Sequence, residues 1–293
     1  MYFSASGIET AFFVPSLAAF CISALTSTSG VSGAFLLLPF QISVLGCTSP
    51  SVSATNQFYN IIATPGGVWR FYREGRLLAP LALLTVLGSL PGVAFGAIIR
   101  LRWLADINRF KLFAAFVLLY LAWRLTKDLL TDKSNESAPG AAKVTVLESN
   151  LRRGSFIFQG NTYSYNVPQV LCLTMAIGII GGIYGIGGGA ILAPFLISIF
   201  KLPVYVVAGS TLLCTLATSI GGMASYMLLA PYYPALEVSP DFKLGLALGL
   251  GGLLGMYCGA RLQKYLPPRQ IKIILCLIIV GTALAWLVPQ LWA

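Results

Sequence analysis

Long apolar stretches alternate with short polar ones along this chain, at a spacing typical of membrane-spanning helices. The apolar stretches lie at roughly residues 8–27, 31–46, 51–69, 78–100 and 109–126, and again at 168–184, 188–201, 204–229, 242–263 and 271–291. A helix needs about twenty apolar residues to cross a bilayer, whereas the strands of a membrane barrel would alternate over about ten residues. The pattern therefore predicts an all-α, polytopic helical membrane protein with five spans, a break and five more.

The two groups of five spans match each other when the sequence is slid over itself. At an offset of 155 the coinciding pairs include Gly30 with Gly185, Gly33 with Gly188, Pro39 with Pro194 and Gly67 with Gly222. This predicts an internal duplication, with a first transmembrane repeat at 1–126, a polar connector at 127–167 and a second repeat at 168–293. Because five is an odd number of spans, the second copy would enter the bilayer upside down, giving two inverted repeats with broken helices.

The polar connector has two parts with different patterns. Residues 131–143, TDKSNESAPGAAK, have the composition of a linker, whereas the residues after them alternate apolar and polar side chains around Gly160 and Asn161. Such alternation predicts a small hairpin. We expect a cytoplasmic connector with local structure, and a separate ligand-binding module is the alternative.

Composition excludes an ordinary soluble globule. Hydrophobic residues make up 57% of the 293 residues and charged residues only 10%. The chain has no histidine, and its six cysteines are scattered without a C-x-x-C pair. A zinc site of the usual kind and imidazole acid-base chemistry are therefore not available, so the sequence predicts a protein that is not an enzyme and has no metal or cofactor.

The net charge of +10 is distributed unevenly between the predicted loops. Fourteen of the nineteen Lys and Arg residues fall on one side of the predicted topology, and the side that carries the termini holds Arg100, Arg102, Arg109, Lys111 and Lys243. Basic residues favour cytoplasmic loops, which predicts a cell inner membrane protein with both termini outside. The charges are thus assigned to membrane orientation, with membrane lipid and a small anion as partners and no nucleic acid.

Glycines recur at four-residue spacing in two of the predicted spans. Gly88, Gly92 and Gly96 align with Gly251, Gly255 and Gly259 at an offset of 163. Small residues at this spacing are typical of close helix packing, which is the interpretation favoured for both sets.

A denser glycine segment, Gly181 to Phe195 (GGIYGIGGGAILAPF), predicts a break in a helix. Gly185, Gly187, Gly188 and Gly189 would each destabilise a continuous helix by roughly 1 kcal/mol relative to alanine. At membrane depth a break is tolerated only where it faces protein or a wet cavity, and the helix that follows presents N–H groups and a dipole that favour an anion. The matching segment of the first copy supplies Ser27, Thr28, Ser29, Gly30, Ser32 and Gly33. The alternative is a tight loop at the membrane surface.

A polar stripe follows each predicted break. Asn56 and Asn60 lie one helical turn apart, as do Thr211 and Thr215, which align with them in the second copy. These side chains are predicted to orient the anion, and the alternative is that they only connect neighbouring helices. Buried carboxylates are scarce within the spans, so no proton relay is predicted, and the membrane potential of about 2.3 kcal/mol per charge per 100 mV could drive export of an anion.

These segments resemble the sulfite exporter TauE/SafE family of permeases. The resemblance is carried by GIYGIGGGAILAPF with the following LPVYVVAGSTLLCTLATSIGG, by the degenerate first copy GVSGAFLLLPF, and by GMYCGARLQKYLPPRQIK. It implies a permease, and the family is associated with sulfite and organosulfonates.

The function expected from these features is secondary transport of a small, sulfur-containing oxyanion. The site would lie between the two repeats, and alternating access would come from one repeat rocking against the other. Two alternatives stay open: a cation-coupled uptake protein or channel for a small solute, and a membrane scaffold whose glycines serve packing alone.

Overall fold

The computed structural model describes residues 2–3, 6–28, 33–75, 77–130, 144–150, 152–262 and 268–291. An N-terminal hairpin pairs β1 (Tyr2–Phe3) with β2 (Ile8–Glu9). The described helices of the first half are α1 (Phe13–Thr28), α2 (Ala34–Ser43), α3 (Ser51–Ala63), α4 (Pro65–Arg73), α5 (Ala79–Arg102) and α6 (Ile107–Leu130). Thr64 joins α3 to α4 in helical conformation, so the two form one nearly continuous element.

The second half repeats this order of helices after a small sheet. Its helices are α7 (Val167–Tyr184), α8 (Gly189–Ser198), α9 (Val204–Leu229), α10 (Phe242–Leu262) and α11 (Pro268–Leu291). The connector contains the antiparallel strands β3 (Thr145–Ser149), β4 (Arg153–Phe158) and β5 (Asn161–Asn166). The predicted hairpin between β4 and β5 is confirmed, with a third strand added. Residues 131–143 lie outside the described part of the chain.

Every predicted span contains a helix, and the fold is that of a helical membrane protein. Among the described residues, five helices are long and apolar enough to cross a membrane. The helices α2 and α8, however, have ten residues each. At 1.5 Å per residue each measures about 15 Å, half the thickness of the hydrocarbon core. These two elements are therefore too short to cross the bilayer alone.

Close packing through glycine joins helices from opposite halves of the chain. A side-chain carbon at Gly92 on α5 would overlap the carbonyl oxygen of Met175 on α7. In the same way, a side-chain carbon at Gly255 on α10 would overlap the carbonyl oxygen of Phe20 on α1. The prediction that the glycines at four-residue spacing serve packing is confirmed, and the structure adds that each set faces the first helix of the other half.

The directions of the helices divide the core into two bundles. Contacts advance in the same direction along both members of four helix pairs: α5 with α7, α5 with α9, α10 with α1, and α10 with α3. For α5 with α7 the contacts are Gly88 with Leu171 and Gly96 with Ile183, and for α5 with α9 they are Ser89 with Cys214 and Val93 with Gly222. For α10 with α1 the contacts are Ser16 with Gly251 and Ala24 with Gly259, and for α10 with α3 they are Phe58 with Gly245 and Ile62 with Gly249. We call α1, α3 and α10 the first bundle, and α5, α7 and α9 the second bundle.

The two bundles run in opposite directions where α3 and α4 meet α9. Gln57 on α3 contacts Gly222, whereas Gly67 on α4 contacts the earlier residue Leu212. Matching helices of the two halves therefore point in opposite directions, and each bundle mixes helices of both halves. A further contact between halves joins α6 to α11, where the Thr126 hydroxyl lies 3.3 Å from the Cys276 sulfur.

The short helices form re-entrant pairs with the helices before them. Because α1 and α3 run in the same direction, the chain between them, which includes α2, returns to the side on which α1 begins. The same holds for α8 between α7 and α9. Three elements of each half, α3–α4, α5 and α6 in the first and α9, α10 and α11 in the second, then remain as candidate crossings, which is still an odd number. The inverted orientation of the halves in a bilayer stays a prediction, and the opposite directions of α1 and α7 support it.

A polar cluster outside the spans ties the N-terminal hairpin to the helices. The Asp241 carboxylate accepts hydrogen bonds from the N–H groups of Ser6 at 3.2 Å and Leu244 at 3.0 Å, and thereby caps α10. The Asp241 N–H donates to the Thr55 hydroxyl of α3 at 2.9 Å. Burial, aided by the nearby Asp241 charge, raises the pKa of the Cys47 thiol to about 12, so this cysteine stays a neutral packing group at physiological pH.

On the opposite end, the connector sheet packs on the start of α9. Its Phe158 ring stacks on Tyr205 with the ring centroids 5.3 Å apart. The sheet is thereby fixed to the second bundle.

Replacing Gly92 by valine should destabilise the protein, because the new side chain must displace the Met175 backbone on α7. Overpacking of this kind costs about 1–3 kcal/mol or more. The matched control is Gly281→Val on α11, since a side-chain carbon there meets no atom within 4 Å. Thermal unfolding in detergent should show a lower midpoint for Gly92→Val only, and equal midpoints for the two variants would contradict the packing role.

Candidate functional site

The second break is a sharp turn built from glycine. Gly185 ends α7 with φ of 84°, and Gly187 has φ of 74°, in the left-handed region where a side chain is strained. Gly185 also lies against the backbone of Ser53 on α3, and Gly187 against the hydroxyl of Ser219 on α9. The break is therefore held at the contact between the two bundles.

The first N–H group after this break has a protein partner. We expected the helix that follows to begin with unpaired N–H groups, but Gly188 N–H donates to the Thr218 hydroxyl at 2.9 Å. Gly189 packs so closely on α9 that a side-chain carbon would overlap the Thr211 carbonyl and the Thr215 hydroxyl. The expectation therefore fails for Gly188, because α9 approaches close enough to cap the short helix itself.

The carbonyl groups that α7 leaves at the break also accept hydrogen bonds. Gly181 O accepts from the Gly185 N–H, while Gly182 O accepts from the Tyr226 hydroxyl at 2.9 Å. Ile183 O accepts from the Ser53 hydroxyl at 3.0 Å. These three carbonyls are bound by donors from three helices, so the break is a well-connected structural joint.

The first break is described only at its edges. Thr28 ends α1, its side chain lies outside the described residues, and Ser29, Gly30 and Ser32 lie outside them entirely. Ser27 donates to the Ala24 carbonyl within α1 and faces Gly259 of α10. Ser27 thus takes part in helix packing.

Gly33, which precedes α2, borders a buried polar group of the first bundle. A side-chain carbon at Gly33 would lie 2.9 Å from the Tyr59 hydroxyl and 3.0 Å from the Ser23 hydroxyl, two groups that share a hydrogen bond of 2.8 Å. Gly33 therefore contacts α3 through Tyr59, just as the second break contacts α9.

Three of the predicted stripe residues have local hydrogen-bond partners. Asn56 donates to the Ala34 carbonyl at 2.9 Å and accepts from Gln41 at 3.4 Å, which holds α2 against α3. Thr211 and Thr215 donate to carbonyl groups one turn earlier in α9. Their hydroxyl hydrogens are therefore used within the helix, and only their acceptor capacity is left.

Asn60 is different, because neither of its amide atoms has a hydrogen-bond partner among the described residues, and because it lies between two residues of α3–α4 that contact α9. Two contacts bracket this region, Gln57 with Gly222 and Gly67 with Leu212. Residues between them follow the same antiparallel register, which places Asn60 opposite Ser219. We call Gln57, Asn60 and Ser219 the crossing site.

The polar atoms of the crossing site have no hydrogen-bond partner among the described residues. These atoms are both amide atoms of Gln57, both amide atoms of Asn60 and the Ser219 hydroxyl oxygen. Gln57, Asn60 and Ser219 are fully buried. Each unsatisfied buried group costs about 1–3 kcal/mol, so a cluster of them indicates a place where a ligand or water binds.

Gln57 was not predicted as a site residue, although the alignment of the two copies distinguishes it. At the offset of 155 that aligns the two copies, Gln57 falls on Leu212. Each of these residues packs on the matching glycine of the opposite helix, Gly222 for Gln57 and Gly67 for Leu212. The two contacts are thus equivalent, and an amide in one copy replaces an apolar side chain in the other.

Arg100 was also predicted wrongly, because the hydropathy pattern assigned it to a loop. It lies in the last turn of α5 with a fully buried side chain. The helix extends past the predicted end of the span because the guanidinium packs on the Phe110 ring, 3.8 Å from its centroid.

Comparison with known proteins shows which family the chain belongs to. The family model described as sulfite exporter TauE/SafE matches residues 16–286, a range that includes both breaks and both stripes. The chain belongs to the sulfite exporter TauE/SafE family. Probable membrane transporter protein YunE of Bacillus subtilis (strain 168) is 22% identical over 206 residues, which are 70% of this chain and 69% of YunE. No solved structure matches the chain.

A second relative covers a smaller part of this TauE/SafE chain. Probable membrane transporter protein YdhB of the same organism is 29% identical over 98 residues, 33% of this chain and 37% of YdhB. Membership of the family makes the protein a multi-pass membrane transporter, which agrees with the expectation that it is not an enzyme.

Replacing Gln57 by leucine should stabilise the protein and weaken its response to substrate. The change gives α3 the side chain that α9 already has at the equivalent contact, and it removes two buried polar atoms without partners. Removal of each such group is worth about 1–3 kcal/mol if no ligand satisfies it. The measurement is the thermal unfolding midpoint with and without sulfite, sulfate, thiosulfate or a small sulfonate.

Leu212→Gln is the matched control, since it places an amide at the equivalent contact of the other copy. It should lower the midpoint and leave the response to anions in place. A Gln57→Leu variant that is less stable than the wild type would show that protein groups already satisfy this amide.

Proposed function

We propose that this TauE/SafE protein is a permease for a small oxyanion, such as sulfite or an organosulfonate, and that the anion binds at the crossing site. The observation that carries the proposal is the set of buried polar atoms of Gln57, Asn60 and Ser219 that have no hydrogen-bond partner among the described residues. The match to a family named for sulfite export supports the choice of substrate.

The crossing site has the chemistry expected for an anion-binding site that is built from uncharged protein groups. The amide groups of Gln57 and Asn60 and the hydroxyl of Ser219 supply hydrogen-bond donors in a region shielded from water. Hydrogen bonds to an ionised acceptor are roughly twice as strong as those between neutral groups. Neutral donors can therefore bind a singly charged anion and release it again, as transport requires.

Alternating access would move the two bundles against each other about this site. The glycine contacts fix α7 to α5 and α1 to α10, so the first repeat cannot move as one body against the second without breaking them. The surface between α3–α4 and α9, by contrast, holds the loosely satisfied polar groups. We propose the mixed bundles, rather than the sequential repeats, as the moving units.

A sodium-coupled mechanism would use carbonyl oxygens at the second break. Those of Gly181, Gly182 and Ile183 already accept hydrogen bonds from protein donors, which leaves one lone pair on each of the Gly182 and Ile183 oxygens for a cation. Export of an anion driven by the membrane potential needs no coupling ion. The distribution of basic residues supports the orientation with both termini outside.

The direct test is stabilisation of the purified protein by anions. Sulfite, sulfate, thiosulfate and a small sulfonate are added to wild-type protein, to Asn60→Leu and to Gly187→Leu, and thermal unfolding is followed. A ligand at a hundred times its Kd stabilises by about 2.7 kcal/mol, so at least one anion should raise the wild-type midpoint. Both variants should lose most of that shift.

Asn108→Leu and Gly281→Leu serve as matched controls away from the crossing site, because Asn108 is exposed and Gly281 borders open space. They should keep the wild-type response. The same proteins in liposomes should move the stabilising anion with and without a sodium gradient. Strict sodium dependence would exclude simple export, and an unchanged response in both site variants would place the anion elsewhere.

A further inference from the structure

Arg100 is a buried cation that the crossing site does not include. Its side chain has no exposed surface, and its Nε and Nη2 atoms have no hydrogen-bond partner among the described residues. The remaining nitrogen, Nη1, donates to the Leu104 carbonyl just past the end of α5. Only part of the guanidinium is therefore satisfied by the protein.

No carboxylate neutralises this charge in the described structure. Among the described residues, the only salt bridge joins Arg70 to Glu74 at the surface. Asp106 attracts Arg100 through space, but its carboxylate is exposed and accepts from the N–H groups of Asn108 and Arg109. Burial of an unpaired charge costs several kcal/mol, which an anion at Nε and Nη2 would offset.

The surroundings of Arg100 suit an anion rather than a cation. Its guanidinium lies over the Phe110 ring, 3.8 Å from the centroid, which leaves the forked edge with Nε and Nη2 as the polar face. Tyr226 is the other group that interacts with Arg100 electrostatically. A forked pair of N–H groups matches the spacing of two oxygens on a carboxylate, sulfonate or sulfite.

Polar side chains connect Arg100 to the crossing site without a gap in burial. Tyr226 packs in one cluster with Ala97 and Leu101, which flank Arg100 on α5. The Tyr226 hydroxyl donates to the Gly182 carbonyl, next to the Ile183 carbonyl that accepts from Ser53. Ser53, Gln57 and Asn60 then follow one another along one face of α3, and all of them are fully buried. This row runs from the end of the molecule near the N-terminal hairpin toward its middle.

From this geometry we infer that Arg100 binds the transported oxyanion at the terminus-side end of its route, before or after the anion occupies the crossing site. The inference rests on the proposed function and adds a second, charged binding position to it. The cation holds the anion at the terminus-side end of the route, and the neutral amides hold it less tightly within.

The structural alternative is that Arg100 only caps α5 and packs on Phe110. A cation in the last turn of a helix is favourable in any case, so stability alone does not separate the two roles. The test must therefore measure the affinity for an anion.

The experiment titrates sodium sulfite into full-length protein in detergent, with sodium chloride at equal ionic strength as the reference, and follows thermal unfolding. Arg100→Gln keeps a donor for Leu104 but removes the charge and the fork. It should raise the sulfite Kd by about ten- to a hundredfold, the loss expected for hydrogen bonds to a charged group. Arg102→Gln is the matched control, because Arg102 is exposed and lies two residues later in the same last turn of α5. It should stay within about twofold of the wild type.

If Arg100→Gln does not fold, Arg100→Lys is used instead, since it keeps the charge but lacks the planar fork with two parallel N–H groups. It should raise the sulfite Kd about threefold or more. A Kd within twofold of the wild type in the folded variant would overturn the inference, whatever happens to its stability.

Flux of sulfite into liposomes separates this inference from the proposed function. Stabilisation by sulfite that depends on Arg100, without flux, would support the anion site and overturn the permease proposal. Sulfite flux that Arg100→Gln does not change would support the permease proposal and overturn the anion site at Arg100. A wild-type protein that sulfite does not stabilise at all would overturn the role of Arg100.

Discussion

Backbone contact through glycine, between α5 and α7 and between α10 and α1, is the constraint on which this architecture depends. It requires helices from opposite halves of the chain to lie closer together than side chains would allow. The halves are consequently interlocked, and their third elements, α3–α4 and α9, meet at the centre. Gln57 on α3 and Gly222 on α9 are thereby brought into contact between the bundles.

At that surface the protein retains polar groups that packing alone would not favour. Gln57 and Asn60 sit in a region where apolar side chains would be more stable, as Leu212 shows at the equivalent contact. Around them, by contrast, the breaks are tightly connected: hydroxyls of Ser53, Tyr226 and Thr218 bind the backbone that the break exposes. Rigid joints therefore flank a centre whose hydrogen bonds are left incomplete, which is the arrangement expected of a binding site held by its supporting structure.

Much of the fold could be predicted from the sequence, because hydropathy and self-similarity are local or regular signals. The position of each helix, the duplication and the packing glycines all follow from them. The pairing of α5 with α7 could not be predicted, since nothing in the spacing of Gly88 to Gly96 specifies which helix they face. Of the predicted site residues, Asn60 stays a candidate because its buried amide has no hydrogen-bond partner among the described residues, whereas the Gly188 N–H is capped by Thr218. Arg100 was missed because a charge near the end of an apolar run is normally a loop residue. Its packing on the Phe110 ring becomes evident only in the folded structure.

The exchange of leucine for glutamine at one crossing contact has a consequence for the energy balance of the transport cycle. If the two halves were identical and inverted, a twofold rotation would convert the conformation open to one side of the membrane into the conformation open to the other, and the two would have equal free energy. Gln57 facing Gly222 and Leu212 facing Gly67 remove that equality. An empty transporter with this difference would rest preferentially in one orientation, so its direction bias would be set partly by a single side chain at the centre of the molecule.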